Sequence, residues 1–171
     1  MHEFDSIISA DQIRLISSML EIQPRLAGKR HEGGWYPLHV AALSGDVELV
    51  KLVLARPKVD VNAIYKPSTE EQKTISPVDR QLELGTRVDD TSGATPLHYA
   101  CMTGNIDVIK LLVENGAAFK AKDDKKRKPI DYFDIREQSE ALVAFKDLYT
   151  RWKKRHESFK GMLSPPCSYD S

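Results

Sequence analysis

Apolar residues recur at helical spacing in two similar stretches of the chain, "VELVKLVL" at 47–54 and "IDVIKLLVE" at 106–114. Residues three and four positions apart share one face of a helix, so each stretch predicts an amphipathic helix with a broad apolar stripe. A shorter apolar segment precedes each stripe, "PLHVAALS" or "PLHYACMT", and a Gly-Asp or Gly-Asn pair separates the two parts. The pattern therefore predicts two pairs of short helices, each joined by a glycine turn.

The second pair carries clear signals for the ends of its helices. Thr95 before Pro96 is an N-cap followed by a rigid first helical position. Gly104 ends the first helix, and Asn115-Gly116 ends the second. Such a pair cannot bury its own apolar surface, so it must stack against similar neighbours.

The repeated phrases resemble the ankyrin repeat. Pro-Leu-His recurs at 37–39 and 96–98 with a glycine eight residues after each proline, and "LLVENGA" closes the second copy. Pro96 and Pro129 are 33 residues apart, which is the repeat length of that family. The resemblance implies an all-α solenoid of stacked helix–turn–helix units with β-hairpin-like fingers. The motif residues are Pro37, Leu38, His39, Gly45, Thr95, Pro96, Leu97, His98 and Gly104.

The resemblance divides the chain into about four units with additions. In two of them the usual threonine before the proline is replaced, by Tyr36 and by Lys128, so a hydroxyl cap is missing. The expected segments are an N-terminal capping unit at 1–32, a repeat at 33–63, an insertion at 64–90, a repeat at 91–123, a C-terminal capping unit at 124–146, a basic amphipathic helical extension at 147–163 and a flexible tail at 164–171.

The insertion separates the two clear units. Pro37 and Pro96 are 59 residues apart, 26 more than one repeat. Ser76 and Pro77 begin a candidate short helix at 76–84. The extra residues form either a stunted unit without its second helix or a helix on an elongated finger. A tolerated surface loop and a specific binding element are both compatible with this composition.

Composition excludes several classes of protein. Lys+Arg and Asp+Glu both total 25, so the net charge is zero and indicates neither nucleic acid nor membrane as a partner. The N-terminus lacks the pattern of a secretory signal, and no apolar run is long enough to span a membrane. Two cysteines do not make a disulfide framework, so we expect an intracellular, cytoplasmic protein. Lys125–Lys128 resembles a short nuclear import signal, and it could equally hold an acidic partner.

Catalytic signatures are lacking in the sequence. It contains no phosphate-binding loop, dinucleotide fingerprint or HExxH motif. The resemblance implies that His39 and His98 tie one turn to the next. Cys101 lies at a small-residue core position, and Cys167 has no neighbouring base. We therefore predict a protein that is not an enzyme and needs no cofactor or metal.

Binding is the remaining function, and the resemblance implies a concave surface made by finger tips and first helices. Trp35 is the sharpest candidate contact, because tryptophan is enriched at interface hot spots. The alternative is that Trp35 packs on Tyr36 and the N-terminal cap. The candidate contact residues are Glu32, Trp35, Leu43, Ser44, Thr91, Ser92, Ala94, Met102, Thr103, Lys125, Arg127, Ile135 and Arg136.

The predicted function is that of an adaptor or scaffold that is monomeric by itself and binds a protein partner. One alternative is an accessory subunit of a large assembly, held by the insertion and by the basic amphipathic helix at 142–163. A second alternative is the targeting module of a larger enzyme. Mitochondrial AAA+ disaggregases offer a loose parallel for the latter, with ankyrin units, an insertion and a charged helix.

Overall fold

The computed structural model describes residues 10–32, 34–66, 91–134 and 139–162. These residues form six α-helices and two 3₁₀ turns, with no strand among them. The elements are α1 (Ala10–Ile22), a first 3₁₀ turn (Pro24–Gly28), α2 (Pro37–Ser44), α3 (Val47–Leu54), α4 (Pro96–Thr103), α5 (Ile106–Glu114), a second 3₁₀ turn (Pro129–Tyr132) and α6 (Ser139–Met162).

The helices stack in pairs, which confirms the predicted all-α solenoid. Helices α2 and α3 pack on each other, and so do α4 and α5. Between the two pairs, α2 packs on α4 and α3 packs on α5, while α1 and α6 lie against α3 and α5 respectively. Ala41, Ala42, Ala100 and Cys101 are fully buried along α2 and α4. Because these side chains are small, the two inner helices approach closely and bury a continuous core.

Repeated residues set the ends of these helices. Gly45 and Gly104 both adopt φ 69°, a left-handed conformation that ends α2 and α4. Asp46 and Asn105 follow them as N-caps, and the side-chain oxygen of each accepts two backbone N–H groups of the next helix. The predicted turn between the two helices of each unit is confirmed.

The capping bond made from inside the first helical turn does not need a hydroxyl. The backbone N–H of Tyr36 donates to Nδ1 of His39 at 3.0 Å, and the N–H of Lys128 donates to Oδ2 of Asp131 at 2.7 Å. In the unit that keeps threonine, the N–H of Thr95 donates to Nδ1 of His98 in the same way. Replacement of threonine at these two positions therefore leaves this bond intact.

The two clear repeats are direct neighbours in the stack. Tyr65 N–H donates to Ala94 O at 2.8 Å, and Gly93 N–H donates to Tyr65 O at 2.7 Å. Helix α2 packs directly on α4. The two alternatives for the insertion, a stunted unit or a helix on an elongated finger, concern residues outside those that the structure describes. The predicted helix at 76–84 lies outside the described residues.

The C-terminal end departs most from the repeat. The expected start of a third first helix is only the 3₁₀ turn Pro129–Tyr132. Helix α6 is one continuous element of 24 residues, although the sequence divides it at 146 into a cap and an extension. Phe119 contacts the rings of Phe145, Tyr149 and Trp152 at 5.3, 5.4 and 5.6 Å between centroids. The packed part of α6 therefore reaches Trp152.

Candidate functional site

The two motif histidines are structural ties between units. Nδ1 of His39 accepts the N–H of Tyr36, so the ring proton belongs on Nε2. Nε2 lies 3.0 Å from Ala63 O and 3.2 Å from Ala94 O, and it donates to this pair of carbonyls. Burial lowers the pKa of His39 to about 4, although the backbone hydrogen bonds oppose this shift. The imidazole is therefore neutral at physiological pH.

His98 repeats this arrangement one unit later. Its Nδ1 accepts the N–H of Thr95 at 3.0 Å, and its Nε2 lies 3.2 Å from Arg127 O in the next finger. Burial also lowers the pKa of His98. Both imidazoles are used in holding neighbouring units together, as the resemblance implied.

Asp123 holds the third finger together. Its carboxylate is 2% exposed and accepts hydrogen bonds from the backbone N–H and Nε of Arg127 and from the hydroxyl of Tyr132, at 2.7–2.8 Å. Burial raises the pKa of Asp123, but the hydrogen bonds from Tyr132 and Arg127 outweigh burial and hold that pKa below its usual value. This role cannot be recognised from the sequence, because Asp123 lies among lysines and resembles a solvated counter-charge.

Three of the candidate contact residues are buried, so the exposure predicted for them is wrong. Leu43 and Ala94 are 1% and 0% exposed, since both face the core between the stacked units. Thr91 is 6% exposed, and its hydroxyl lies 2.9 Å from the hydroxyl of Tyr99. These side chains have no surface to offer a partner.

Other candidate residues make contacts within the chain. Arg127 binds Asp123, and its guanidinium carbon lies 4.9 Å from the centroid of the Tyr132 ring. The Ser92 hydroxyl donates to Asp124 Oδ2. The hydroxyls of Ser44 and Thr103 donate to carbonyls in their own helices at 2.8 and 3.0 Å.

The remaining candidates differ in exposure. Glu32 and Lys125 are exposed, and Met102 is half-buried. Ile135 and Arg136 lie outside the described residues.

Trp35 lies in an apolar groove between α1 and the first finger. Its ring is half-buried and stacks on His31, with centroids 4.3 Å apart and planes 17° apart. The groove has a volume of about 340 Å³, and Lys29, Arg30 and Glu32 lie at its rim. The indole N–H of Trp35 is inaccessible to water and has no hydrogen-bond partner in the part of the chain that the structure describes. The apolar lining consists of Ile16, Met19, Leu20, Leu26, Trp35 and Pro37.

An exposed apolar stripe on α1 adjoins the groove. Leu15, Met19 and Ile22 are 62%, 49% and 78% exposed. Their spacing of four and three residues places them on one face of the helix. Met19 belongs to both the stripe and the groove lining, so the two surfaces are continuous.

Comparison with known proteins identifies the class of this helical solenoid. The family model described as "Ankyrin repeats (3 copies)" matches residues 9–123. The chain belongs to the ankyrin-repeat family. Ankyrin repeats are generally protein–protein interaction modules and are typically non-catalytic.

Relatives with curated names share this region. The chain is similar to alpha-latrocrustotoxin-Lt1a of Latrodectus tredecimguttatus, with 33% identity over 56% of this chain and 5% of that protein. It is similar to the mitochondrial disaggregase of Bos taurus, with 25% identity over 75% of this chain and 20% of that protein. It is also similar to the BTB/POZ domain and ankyrin repeat-containing protein NPR3 of Oryza sativa subsp. japonica, with 35% identity over 52% of this chain and 16% of that protein. The chain thus spans a fifth or less of the length of these relatives.

The described residues were compared with the requirements of a membrane-spanning helix and of a metal site. None of the helices there is both long and apolar enough to cross a membrane. His, Cys, Asp and Glu side chains in the same residues form no group of three that could hold a metal ion. Burial raises the pKa of the Cys101 thiol well above its ordinary value, and Cys101 is a core residue as predicted.

Proposed function

We propose that the chain is a non-catalytic adaptor that binds an amphipathic segment of a partner protein in the Trp35 groove. The observation that carries this proposal is an apolar groove whose lining includes the half-buried ring of Trp35. Aromatic anchors in such grooves are characteristic of interface hot spots.

The groove supports an apolar contact with the partner. An apolar side chain of a bound segment would fill the space between Leu20 and Leu26 and pack against the exposed part of the Trp35 ring. The indole nitrogen is inaccessible to water, so the contact would be made by the ring and not by its N–H.

The rim determines which segment fits best. Lys29 and Arg30 are exposed at the rim, and Arg25 is exposed on the preceding 3₁₀ turn. Their charges favour a partner that carries Asp or Glu beside its apolar anchor. The stripe of Leu15, Met19 and Ile22 would extend the contact along α1 if the bound segment is a helix.

A second candidate function is a targeting module within a longer protein. The similarity to the mitochondrial disaggregase extends over 75% of this chain but only 20% of that relative. In this case the groove would bind a substrate protein and bring it to a catalytic domain in another part of the same longer protein. A reading frame that extends beyond these residues at either end and encodes a catalytic domain would favour this candidate, and a reading frame that encodes only these residues would exclude it.

The groove is tested with a peptide library displayed on phage and selected on the intact chain. We expect enriched sequences that combine a bulky apolar residue with Asp or Glu. Trp35→Ala should weaken the best peptide at least tenfold, which corresponds to about 1.4 kcal/mol. Because Trp35 also packs on α1, the exposed double variant Lys29→Glu/Arg30→Glu provides an independent test and should weaken the same peptide.

Val143→Ala is the matched control, because Val143 is an exposed apolar residue on α6 at the other end of the stack. It should leave peptide affinity unchanged. Circular dichroism of each variant checks the fold. Selection of peptides that bind the Trp35→Ala protein equally well would contradict the groove as the binding site.

A further inference from the structure

The last part of α6 is a charged helix that leaves the stack. Among the residues of α6 up to Glu157, Trp152 is the last whose side chain packs against the core. Residues 153–157, with sequence KKRHE, are all exposed. Lys153 pairs with Glu157 at 3.5 Å, while Lys154 and Arg155 form no ion pair with any described residue. Two cations of this segment therefore have no neutralising group within the described ranges of the chain.

A second group of cations lies beside this helix. Phe119 contacts Tyr149 and Trp152, so the residues that follow Phe119 lie next to the same part of α6. Lys120 and Lys122 are exposed there and form no ion pair among the described residues. Lys126 is exposed at the tip of the finger that this segment enters.

The cations of the finger outnumber its carboxylates. Residues 120–131 contain six Lys and Arg residues and three Asp residues. Asp123 pairs with Arg127, and Asp147 of the helix pairs with Arg151. Asp124 and Asp131 accept hydrogen bonds from neutral donors, the Ser92 hydroxyl and the Lys128 N–H, and keep their charge. The finger therefore has a net positive charge that is available to a ligand.

Lys126 stands where the other fingers have glycine. Gly34 and Gly93 occupy the equivalent position with φ 91° and 81°, and Lys126 adopts φ 66° there. A left-handed conformation costs a non-glycine residue about 1 kcal/mol or more. The finger is held in this shape by hydrogen bonds from Lys126 N to Asp123 O and from Asp123 N to Arg127 O. Here a strained backbone position carries a cation at the tip of the finger.

We infer that these cations form a binding surface for an acidic polypeptide segment. The surface, named the basic pole, consists of Lys120, Lys122, Lys126, Lys154 and Arg155. Lys154 and Arg155 are exposed on the helix, and the three lysines are exposed along the segment that follows Phe119. A stretch of Asp and Glu residues provides carboxylates for both groups.

The aromatic residues of the region favour a polypeptide over the other anionic ligands. Phe119, Tyr149 and Trp152 contact one another, and His156 stacks on Trp152 with centroids 4.3 Å apart. These rings are thus engaged within the chain, whereas single-stranded nucleic acids require free aromatic faces for base stacking. Insertion into a membrane interface requires free apolar anchors, and Trp152 is committed to the core in the same way.

The test measures fluorescence anisotropy of a labelled peptide of Asp and Glu with the intact chain. Lys154→Glu/Arg155→Glu should weaken binding at least about tenfold, because attraction at two sites is replaced by repulsion. Raising the salt concentration until the Debye length falls from about 10 Å to about 3 Å should weaken wild-type binding as well. The matched control is Arg14→Glu/Lys51→Glu, which makes the same charge change at exposed positions of α1 and α3.

Each outcome decides the proposal. Equal weakening by the control variant, or equal binding of a peptide with Asn and Gln in place of the acids, would overturn it. Tighter binding of a single-stranded oligonucleotide or of vesicles containing anionic lipid would assign the surface to a different ligand. Trp35→Ala should leave affinity for the acidic peptide unchanged, so failure of the basic pole and failure of the Trp35 groove are distinguishable.

Discussion

Nε2 of His39 lies 3.2 Å from the carbonyl oxygen of Ala94, a residue 55 positions further along the chain. The same nitrogen lies 3.0 Å from Ala63 O, so one imidazole holds the chain on both sides of the insertion. The two repeats therefore remain hydrogen-bonded neighbours even though 26 additional residues separate their motifs.

Acid should destabilise the stack through the histidines. In the folded chain His39 has a pKa of about 4, whereas an unfolded histidine titrates near its ordinary value of 6.5. Between these values the unfolded chain binds more protons, so the free energy of unfolding falls as pH decreases from about 6.5 to about 4. For His39 alone the expected loss is about 3 kcal/mol, and the lowered pKa of His98 adds to it. Urea unfolding at several pH values measures this loss.

The control for this prediction is His39→Gln. Glutamine retains a donor for Ala63 O and Ala94 O but does not titrate, so the variant should show a flatter dependence of stability on pH above about 5. Carboxylates titrate mainly below this range. The same pH dependence in wild type and His39→Gln would contradict the assignment to His39.

Asn105 makes two kinds of hydrogen bond, one to the preceding unit and one that caps its own helix, and a substitution can remove the first while keeping the second. Its Oδ1 accepts the N–H groups of Asp107 and Val108, and its Nδ2 donates to Gly45 O of the preceding unit at 2.8 Å. Asn105→Asp keeps the capping oxygen and removes the donor, which leaves Gly45 O facing a carboxylate. We expect a loss of about 1–2 kcal/mol in the free energy of unfolding, measured with urea.

Asp46→Asn is the matched control, because Asp46 is the equivalent N-cap of the first unit. Its oxygen accepts from Glu48 and Leu49, and asparagine is as good an N-cap as aspartate. This variant should change stability by less than about 0.5 kcal/mol. A similar loss in both variants would show that capping, and not the bond to Gly45, sets the cost.

Lys126→Gly should separate stability from binding. Glycine relieves a left-handed strain of about 1 kcal/mol but increases the entropy of the unfolded chain. Thermal unfolding should therefore show a change between zero and about 1 kcal/mol of stabilisation. Affinity for the acidic peptide should fall, because the basic pole loses one cation.

Lys125→Gly, at a neighbouring residue without positive φ, should destabilise the protein. Destabilisation by Lys126→Gly would contradict the presence of strain.

The sequence was sufficient to predict the helix pairs and their turns, because those signals are local. Pro96 and Gly104 determine where α4 begins and ends through their own backbone preferences, whatever surrounds them. The role of His39 was implied by the resemblance to the ankyrin repeat. Stacking of the helix pairs follows from the need to bury their apolar faces, whereas the sequence alone left the adjacency of the two clear repeats open.

The candidate surface was predicted less well, because exposure depends on contacts distant in sequence. Thr91 resembles a polar finger residue, yet it is buried against Tyr99. Arg127 resembles an exposed cation, but it pairs with Asp123 and Tyr132, which the fold brings together. Trp35 lies in a groove that exists only because α1 folds back beside the first finger. The predicted contact roles of Trp35 and Met102 remain predictions.

Trp152 is expected to stabilise the stack and not to serve as a free docking anchor. Its ring lies 5.6 Å from that of Phe119 and stacks at 6.0 Å on that of Tyr149. Trp152→Ala removes these contacts from a half-buried site, so it should lower the free energy of unfolding by about 2 kcal/mol in a urea titration. Val143→Ala, on the exposed side of the same helix, should change it by less than about 0.5 kcal/mol.

The variant also determines how α6 presents the basic pole. Packing of Trp152 on Phe119 fixes the position of this part of α6 relative to the segment that begins at Lys120, so Trp152→Ala should weaken the acidic peptide as well. Trp152→Phe, which keeps an aromatic ring at this position, should restore most of both the stability and the affinity. If Trp152→Ala leaves stability unchanged, the C-terminal part of α6 is not anchored at this residue, and the cations of the helix and the finger do not form one surface.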